Sequence, residues 1–247
     1  MHTSSFLNII GITKQFGSHQ ALKGITFSLM RGEIFSLLGI NGAGKTTLSS
    51  ILATLIPPTN GDIQLEGVSI YNDIPHFRRI IGYCPQRPNL NPYLTVRENL
   101  YFAGRYYGMS KEEINTRIEQ VSADLSLHSY LESLPADLSG GYKQRATIAR
   151  SLIHNPRLVI FDEPTVALDP QIRYKLWEII NQLKEAGITI LLTTHYIEEA
   201  EALSDRVCVL AHGKVQMIDT PANLMKSFQK GKLEEVFIQL TQEEPAV

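Results

Sequence analysis

The run Gly39-Ile40-Asn41-Gly42-Ala43-Gly44-Lys45-Thr46-Thr47 constrains this chain more than any other feature, because it follows an apolar strand and opens a helix. The G-x-x-x-x-G-K-[ST] pattern needs that strand-turn-helix context, and here it has it. Glycines at 39, 42 and 44 let the backbone wrap tightly, so that consecutive N–H groups and the helix N-terminus point at phosphate oxygens. Lys45 then sets a cation against the β- and γ-phosphates, and the Thr46 hydroxyl is a Mg²⁺ ligand. The bland alternative is a glycine-rich turn that only connects strand to helix, and the flanking elements weigh against it.

Composition narrows the class. A chain of 247 residues with 43% hydrophobic and 19% charged side chains is an ordinary globular protein, not a disordered, collagenous or disulfide-stapled one. Its 23 basic and 25 acidic residues leave a net charge of -2, so no global positive field exists to hold nucleic acid or an anionic membrane. Cys84 and Cys208 lie far apart in apolar segments with no metal-ligand spacing, which makes them core thiols. The start, Met1 to Ser5, lacks the pattern of a secretory signal, and no stretch approaches the roughly 18 apolar residues of a membrane span. The expectation is a cytosolic, reduced protein whose membrane role, if it has one, comes from a partner.

Periodicity and breakers give the organisation. Strands are expected at Leu7 to Thr13, Ile25 to Leu29, Glu33 to Leu38, Asp62 to Leu65 and Arg79 to Tyr83, with a helix from Lys45 to Leu55 stopped by Pro57-Pro58. Between about Pro88 and Arg150 the pattern turns helical: Thr95 to Tyr107, Glu112 to Leu125 and Tyr142 to His154. Next comes Leu158 to Phe161, an apolar strand without alternation, as expected when both faces are covered. A helix from Gln171 to Ala186 has Asp169 as N-cap, Pro170 at its first position and Gly187 at its stop. Strand, helix and strand follow at Ile188 to Leu192, Ile197 to Leu203 and Arg206 to Leu210. This is an α/β fold: one domain over 1–240, with a mostly parallel core and antiparallel β flank from 1–87 and 151–240, a helical insertion over 88–150, and a frayed tail from Thr241 to Val247. There is no internal repeat, which implies one catalytic unit per chain.

Several side chains collect at strand C-terminal ends, where open α/β sheets bind ligands. Asp162 and Glu163 close the strand that starts at Leu158: the first suits magnesium, directly or through water, and the second suits polarising a water for in-line attack. Taken alone, the lesser alternative is that both simply cap the next turn. His195 ends another apolar strand, and Gln86 offers a neutral oxygen where the sheet gives way to the helical insertion. Leu138-Ser139-Gly140-Gly141 precedes a helix. Ser139 is a natural N-cap there, and the two glycines equally allow a backbone to approach a phosphate. Two phosphate-facing helix starts in one chain suggest a site shared with another subunit.

These residues together resemble the nucleotide-binding subunit of ATP-binding cassette (ABC) transporters, a branch of the P-loop NTPases with a RecA-like core. The match runs in the family's order over nearly the whole chain: the phosphate loop, a Q-loop at Gln86, a signature at Leu138 to Gly141, a Walker B strand ending Asp162-Glu163, a D-loop ending Leu168-Asp169, and a switch histidine at His195. The resemblance implies a head-to-tail dimer around two ATP molecules with Mg²⁺. In each site, one subunit's Gly39, Asn41, Gly42, Ala43, Gly44, Lys45, Thr46, Thr47, Glu163 and His195 face the other's Ser139, Gly140 and Gly141, and Asp169 of the D-loop counts among the cofactor-binding residues. It also implies metal contacts from Thr46, Gln86 and Asp162, and an adenine platform at Phe16, which could otherwise be a core aromatic at a strand end. Tyr142 replaces the usual glutamine after the signature, bearing on the ribose contact, and Val166-Ala167 replaces a small polar pair before the D-loop, bearing on its cross-interface bonds. The run Thr194 to Glu201 resembles exporter subunits that serve a separate polytopic membrane subunit on the cytoplasmic face of the membrane. The competing expectation is a mechanochemical ATPase acting on nucleic acid or the ribosome, which one cassette, no coiled-coil insertion and no basic clustering disfavour.

Overall fold

The computed structural model describes residues 5–242, in the order β1 (Leu7–Phe16), β2 (His19–Leu29), β3 (Ile34–Leu38), α1 (Lys45–Leu52), β4 (Asn60–Leu65), β5 (Val68–Ser69), α2 (Ile74–Ile80), β6 (Ile81–Cys84), α3 (Val96–Tyr106), α4 (Lys111–Asp124), α5 (Gly140–Leu152), β7 (Leu158–Asp162), α6 (Pro170–Glu185), β8 (Thr189–Thr194), α7 (Ile197–Leu203), β9 (Arg206–Ala211), β10 (Lys214–Asp219), α8 (Pro221–Ser227) and α9 (Leu233–Gln242). Two sheets form. Strands β2-β1-β4-β5 make an antiparallel sheet, and β10-β9-β3-β8-β7-β6 make a sheet that is parallel throughout except for β10. The expected parallel core with an antiparallel flank is therefore present.

The missing alternation in β7 has the meaning the sequence suggested. Leu158 and Ile160 enter a core shared with the antiparallel sheet and α1, whereas Val159 and Phe161 enter a second core under α3 to α6. All five β7 residues are buried. A third cluster joins α7 and β9 to α8 and α9 through Leu224, Leu233, Val236 and Phe237. At Gly82 on β6 a Cβ would lie 2.3 Å from the Ser151 carbonyl oxygen, so only glycine lets α5 lie this close to the sheet edge.

Several expected boundaries are corrected. Helix α1 stops at Leu52, not Leu55: Thr54 takes a left-handed φ of 57°, and Arg78 holds it there through Nε to the hydroxyl (2.7 Å) and Nη2 to the carbonyl (3.1 Å). Arg79 and Ile80 are helical, not extended. Asp73 caps α2 by accepting the His76 N–H at 2.9 Å, Pro75 suits its first turn, and β6 begins only at Ile81. Strand β2 starts six residues before the expected Ile25, in a hairpin with β1 interrupted by register shifts. Helix α5 begins at Gly140, not Tyr142. The tail expected to fray from Thr241 divides: Thr241 and Gln242 complete α9, with the Thr241 hydroxyl donating to the Phe237 carbonyl at 2.8 Å, while 243–247, like 1–4, lie outside the described residues. Strand β10 and helices α8 and α9 had no counterpart in the sequence reading.

Candidate nucleotide site

Strands β3, β8, β7 and β6 are neighbours, so the loops leaving their C-terminal ends meet at one edge. The phosphate loop leaves β3, His195 follows β8, Glu163 follows β7 and Gln86 follows β6. A cavity of ≈ 470 Å³ opens there, lined among others by Phe16, Gly42, Lys45, Thr46, Gln86 and Glu163. Asn41, Gly44 and Thr47 also line it. Gly44 caps α1 at φ 107°, and a Cβ on it would sit 2.7 Å from the Leu22 side chain. Gly39 and Ala43 shape the loop from behind: the Gly39 N–H donates to the Thr194 carbonyl at 3.3 Å, and Ala43 is buried beneath the loop.

The charged centre is dense. Lys45, only 5% exposed, donates through Nζ to the Gly39 carbonyl at 2.8 Å and the Ile40 carbonyl at 3.2 Å, and pairs with Glu163 Oε1 at 3.0 Å. The other Glu163 oxygen accepts from Gln86 Nε2 at 3.0 Å and lies 3.2 Å from His195 Nδ1. Glu163 adopts a left-handed φ of 48°, and its N–H donates to both the carbonyl and the hydroxyl of Thr193, each at 3.0 Å. Such a conformation costs about 1 kcal/mol or more for a non-glycine residue and is held here by the surrounding bonds. Asp162, 1% exposed, accepts from Thr193 at 2.7 Å, Thr46 at 3.4 Å and Tyr83 at 3.3 Å. Burial first, then the Asp162 charge, drives the Tyr83 phenol far above its ordinary value, so it stays a donor.

Mg²⁺ takes one or two protein oxygens beside substrate phosphates and waters. The hydroxyl of Thr46, the carboxylate of Asp162 and the amide of Gln86 are hard donors gathered at this edge, and they fit it. Among the described residues no three His, Cys, Asp or Glu side chains gather as an all-protein cage would require.

The remaining expected residues divide between the cavity mouth and the surface away from it. Phe16 reaches the cavity mouth, 49% exposed, with Lys14 Nζ 5.1 Å from its ring centroid, so it is not a core aromatic. Ser139, Gly140 and Asp169 are exposed and do not line the cavity. Ser139 and Asp169 occupy the N-cap positions of α5 and α6 but make no side-chain capping bond, contrary to the capping role expected of each. Tyr142 turns away from that exposed end: its ring lies against Tyr130, centroids 3.9 Å apart, with the Arg145 guanidinium 5.3 Å above it. His19 and Ala21, which also line the cavity, were not foreseen. His19 pairs with Phe16 across the β1–β2 turn, a register that sequence alone did not give.

A second cleft, ≈ 1150 Å³, runs beside α3 and is walled by Arg78, Tyr107 and Arg150. Its lining includes Tyr93 (88% exposed), Tyr106 (80%) and Phe102 (55%). Among the described residues no helix is long and apolar enough to cross a membrane.

Residues 22–166 match the family model described as ABC transporter. The chain is 40% identical over 231 residues to the Nod factor export ATP-binding protein I of Rhizobium sp. (strain N33), covering 94% of this chain and 76% of that protein. It is 41% identical to the protein of the same name from Burkholderia lata, covering 87% and 71%. Among solved structures, an ATP-binding subunit of an ABC transporter superposes with a TM-score of 0.85 at 32% identity, over 96% of this chain and 99% of that one. A dimeric post-hydrolysis state of an ATP-binding cassette bound to ADP and Pi gives 0.78 at 30% identity, over 87% and 98%.

Proposed function

Because the chain belongs to the ABC transporter family and is one of its ATP-binding, ATP-hydrolysing subunits, we propose that it drives export of a substrate through a separate polytopic membrane subunit, working head-to-tail with a second copy of itself. One observation carries the mechanism: Lys45, Gln86 and His195 all converge on Glu163 within 3.2 Å at the phosphate loop. Lys45 and the loop N–H groups hold the β- and γ-phosphates, and Phe16 stacks on the base. Glu163 orients a water and takes its proton as attack on the γ-phosphorus proceeds, and His195 holds Glu163 and the γ-phosphate in register. Thr46, Gln86 and Asp162 would hold Mg²⁺, which would supply neutralisation of phosphate charge. The unused polar groups of Ser139 and Asp169 and the bare backbone at Gly140, backed by the buried Gly141, complete the partner's site.

The aromatic cleft beside α3 supports the membrane side of this reading, because it is the large apolar opening nearest the Gln86 segment. Docking there would hold the chain on the cytoplasmic face of the membrane. The relatives reported above are export proteins by name, and no feature of the site favours nucleic acid or the ribosome.

Glu163→Gln is expected to lower ATP turnover by about a hundredfold or more while ATP binding stays within threefold. Unchanged turnover removes Glu163 from the role given to it. For the partner, the chain should capture a polytopic membrane protein from detergent-solubilised membranes and lose it on Tyr93→Ala with Phe102→Ala. Recovery of only ribosomal or DNA-bound proteins overturns the transport reading.

A further inference from the structure

Glu199, on α7, is fully buried at 0% exposure, four residues beyond His195. Its Oε1 accepts the Thr165 hydroxyl at 2.8 Å and the Trp177 indole N–H at 2.9 Å. Thr165, itself 0% exposed, stands two residues after Glu163, and Trp177 lies on α6, the helix that Asp169 opens. The Thr194 hydroxyl also stabilises the Glu199 charge, and it accepts the Tyr196 N–H at 2.9 Å. The residues on both sides of His195 are thus tied together beside this carboxylate. From α6, the Arg173 guanidinium lies 4.3 Å from the Tyr196 ring, and the His195 ring lies 4.3 Å from the same ring.

Packing alone does not call for an acid here. A buried carboxylate loses its hydration, and an apolar side chain of similar volume commonly holds a core as well or better. Burial does push this carboxyl above its ordinary value, against the pull of its hydroxyl and indole donors, and Oε2 has no hydrogen-bond partner. What the acid does, and no apolar residue could, is accept from two donors on the connection that leaves β7, Thr165 and Trp177, and so bind that connection to α7, which leaves β8.

We propose that Glu199 is a positioning residue for hydrolysis: it ties the segment after Glu163 to the segment around His195 and to α6, and so keeps the Glu163–His195 contact in register. The inference rests on the roles given above to Glu163 and His195. In the full chain, Glu199→Leu should lower kcat tenfold or more, with ATP affinity within threefold and thermal stability preserved. Glu199→Gln, which keeps an acceptor oxygen for Thr165 and Trp177, should recover most of the rate. Thr165→Val, which keeps the shape and removes one donor, should lower kcat by threefold or more. In a His195→Ala background, Glu199→Leu should cost less than a further threefold, because the contact it maintains is already gone.

Wild-type kcat in folded Glu199→Leu, or losses that multiply fully with His195→Ala, would overturn the proposal. If Glu199→Leu does not fold, Thr165→Val decides: a lowered kcat at unchanged affinity supports the tie, and an unchanged kcat ends it. Glu163→Gln separates the two levels. If it retains turnover, the underlying mechanism fails; if it loses turnover while the Glu199 and Thr165 variants keep theirs, only this inference fails.

Discussion

Gly140 and Gly141 are neighbours in sequence with different physical reasons for lacking a side chain. A Cβ on Gly141 would lie 2.8 Å from Ile172 Cγ2, so glycine there serves the contact between α5 and α6. A Cβ on Gly140 would meet only Leu168 Cδ2, at an ordinary 3.9 Å. Gly141→Ala should therefore cost about 1–3 kcal/mol of stability, read as a lower unfolding midpoint. Gly140→Ala should stay within about 0.5 kcal/mol of wild type yet lose tenfold or more of ATP turnover, because in the proposed head-to-tail pair what approaches Gly140 comes from the second subunit. Normal turnover in Gly140→Ala would show that nothing approaches there. His154 carries a pH dependence. Its Nε2 donates to the Ile81 carbonyl at 2.8 Å, and Tyr107 stacks on its ring at 3.7 Å. Burial pushes its pKa down from 6.5 to about 4, so the folded state binds the neutral ring. The contribution is complete above pH 6.5 and is lost as pH falls toward 4. Urea unfolding at pH 7.5 and 5 should show about 2 kcal/mol lost through this group, a component absent in His154→Gln.

Among the elements, most of those that carry their own start and stop signals were legible, and β10, defined by its neighbour, was not. Helices α3 and α4 open on capping boxes, Thr95 with Glu98 and Ser110 with Glu113, so their expected bounds lie within a residue or so of those found. Strand β10 follows a tight turn at His212 and Gly213, both at positive φ, but its own residues are half exposed and give little pattern. Helix α9 carries Leu233, Val236, Phe237 and Leu240 at helical spacing and α8 opens on Thr220 and Pro221, local signals that were present in the sequence but passed over, and their apolar positions cover α7 and β9. The loop before α3 is ordered from one side chain. Asn99 Nδ2 donates to the carbonyls of Asn91, Leu94 and Thr95 at 3.1, 3.0 and 2.9 Å, and its Oδ1 accepts the Asn91 N–H at 2.7 Å. Asn99→Ala strands those groups, at a cost of about 1–3 kcal/mol. Hydrogen exchange at residues 91–95 should quicken tenfold or more while ATP affinity holds, and unaltered exchange would refute the knot.

In the molecule as a whole, the contiguous motifs brought the phosphate loop, Asp162, Glu163, Gln86 and His195 to one sheet edge, as their order in the sequence suggested. Thr193, Tyr83, His19 and Glu199 escaped notice because their roles arise from strand pairing and helix docking between distant segments. The same geometry leaves Ser139 and Gly140 outside their own chain's cavity, which makes a mixing experiment decisive. Lys45→Ala and Gly140→Ala proteins, each impaired tenfold or more alone, should together reach about a quarter of wild-type activity. Half of randomly paired dimers are mixed, and each mixed dimer has one intact site of two. No recovery would argue against sites shared between copies. Cys84 and Cys208 are both completely enclosed, and burial raises both thiols, Cys208 to about 12. The natural chain is thus silent toward thiol reagents in its folded form. A fluorophore or spin label on a cysteine introduced at exposed Tyr93 or Ser139 would report on opening and closing without any native thiol having to be replaced.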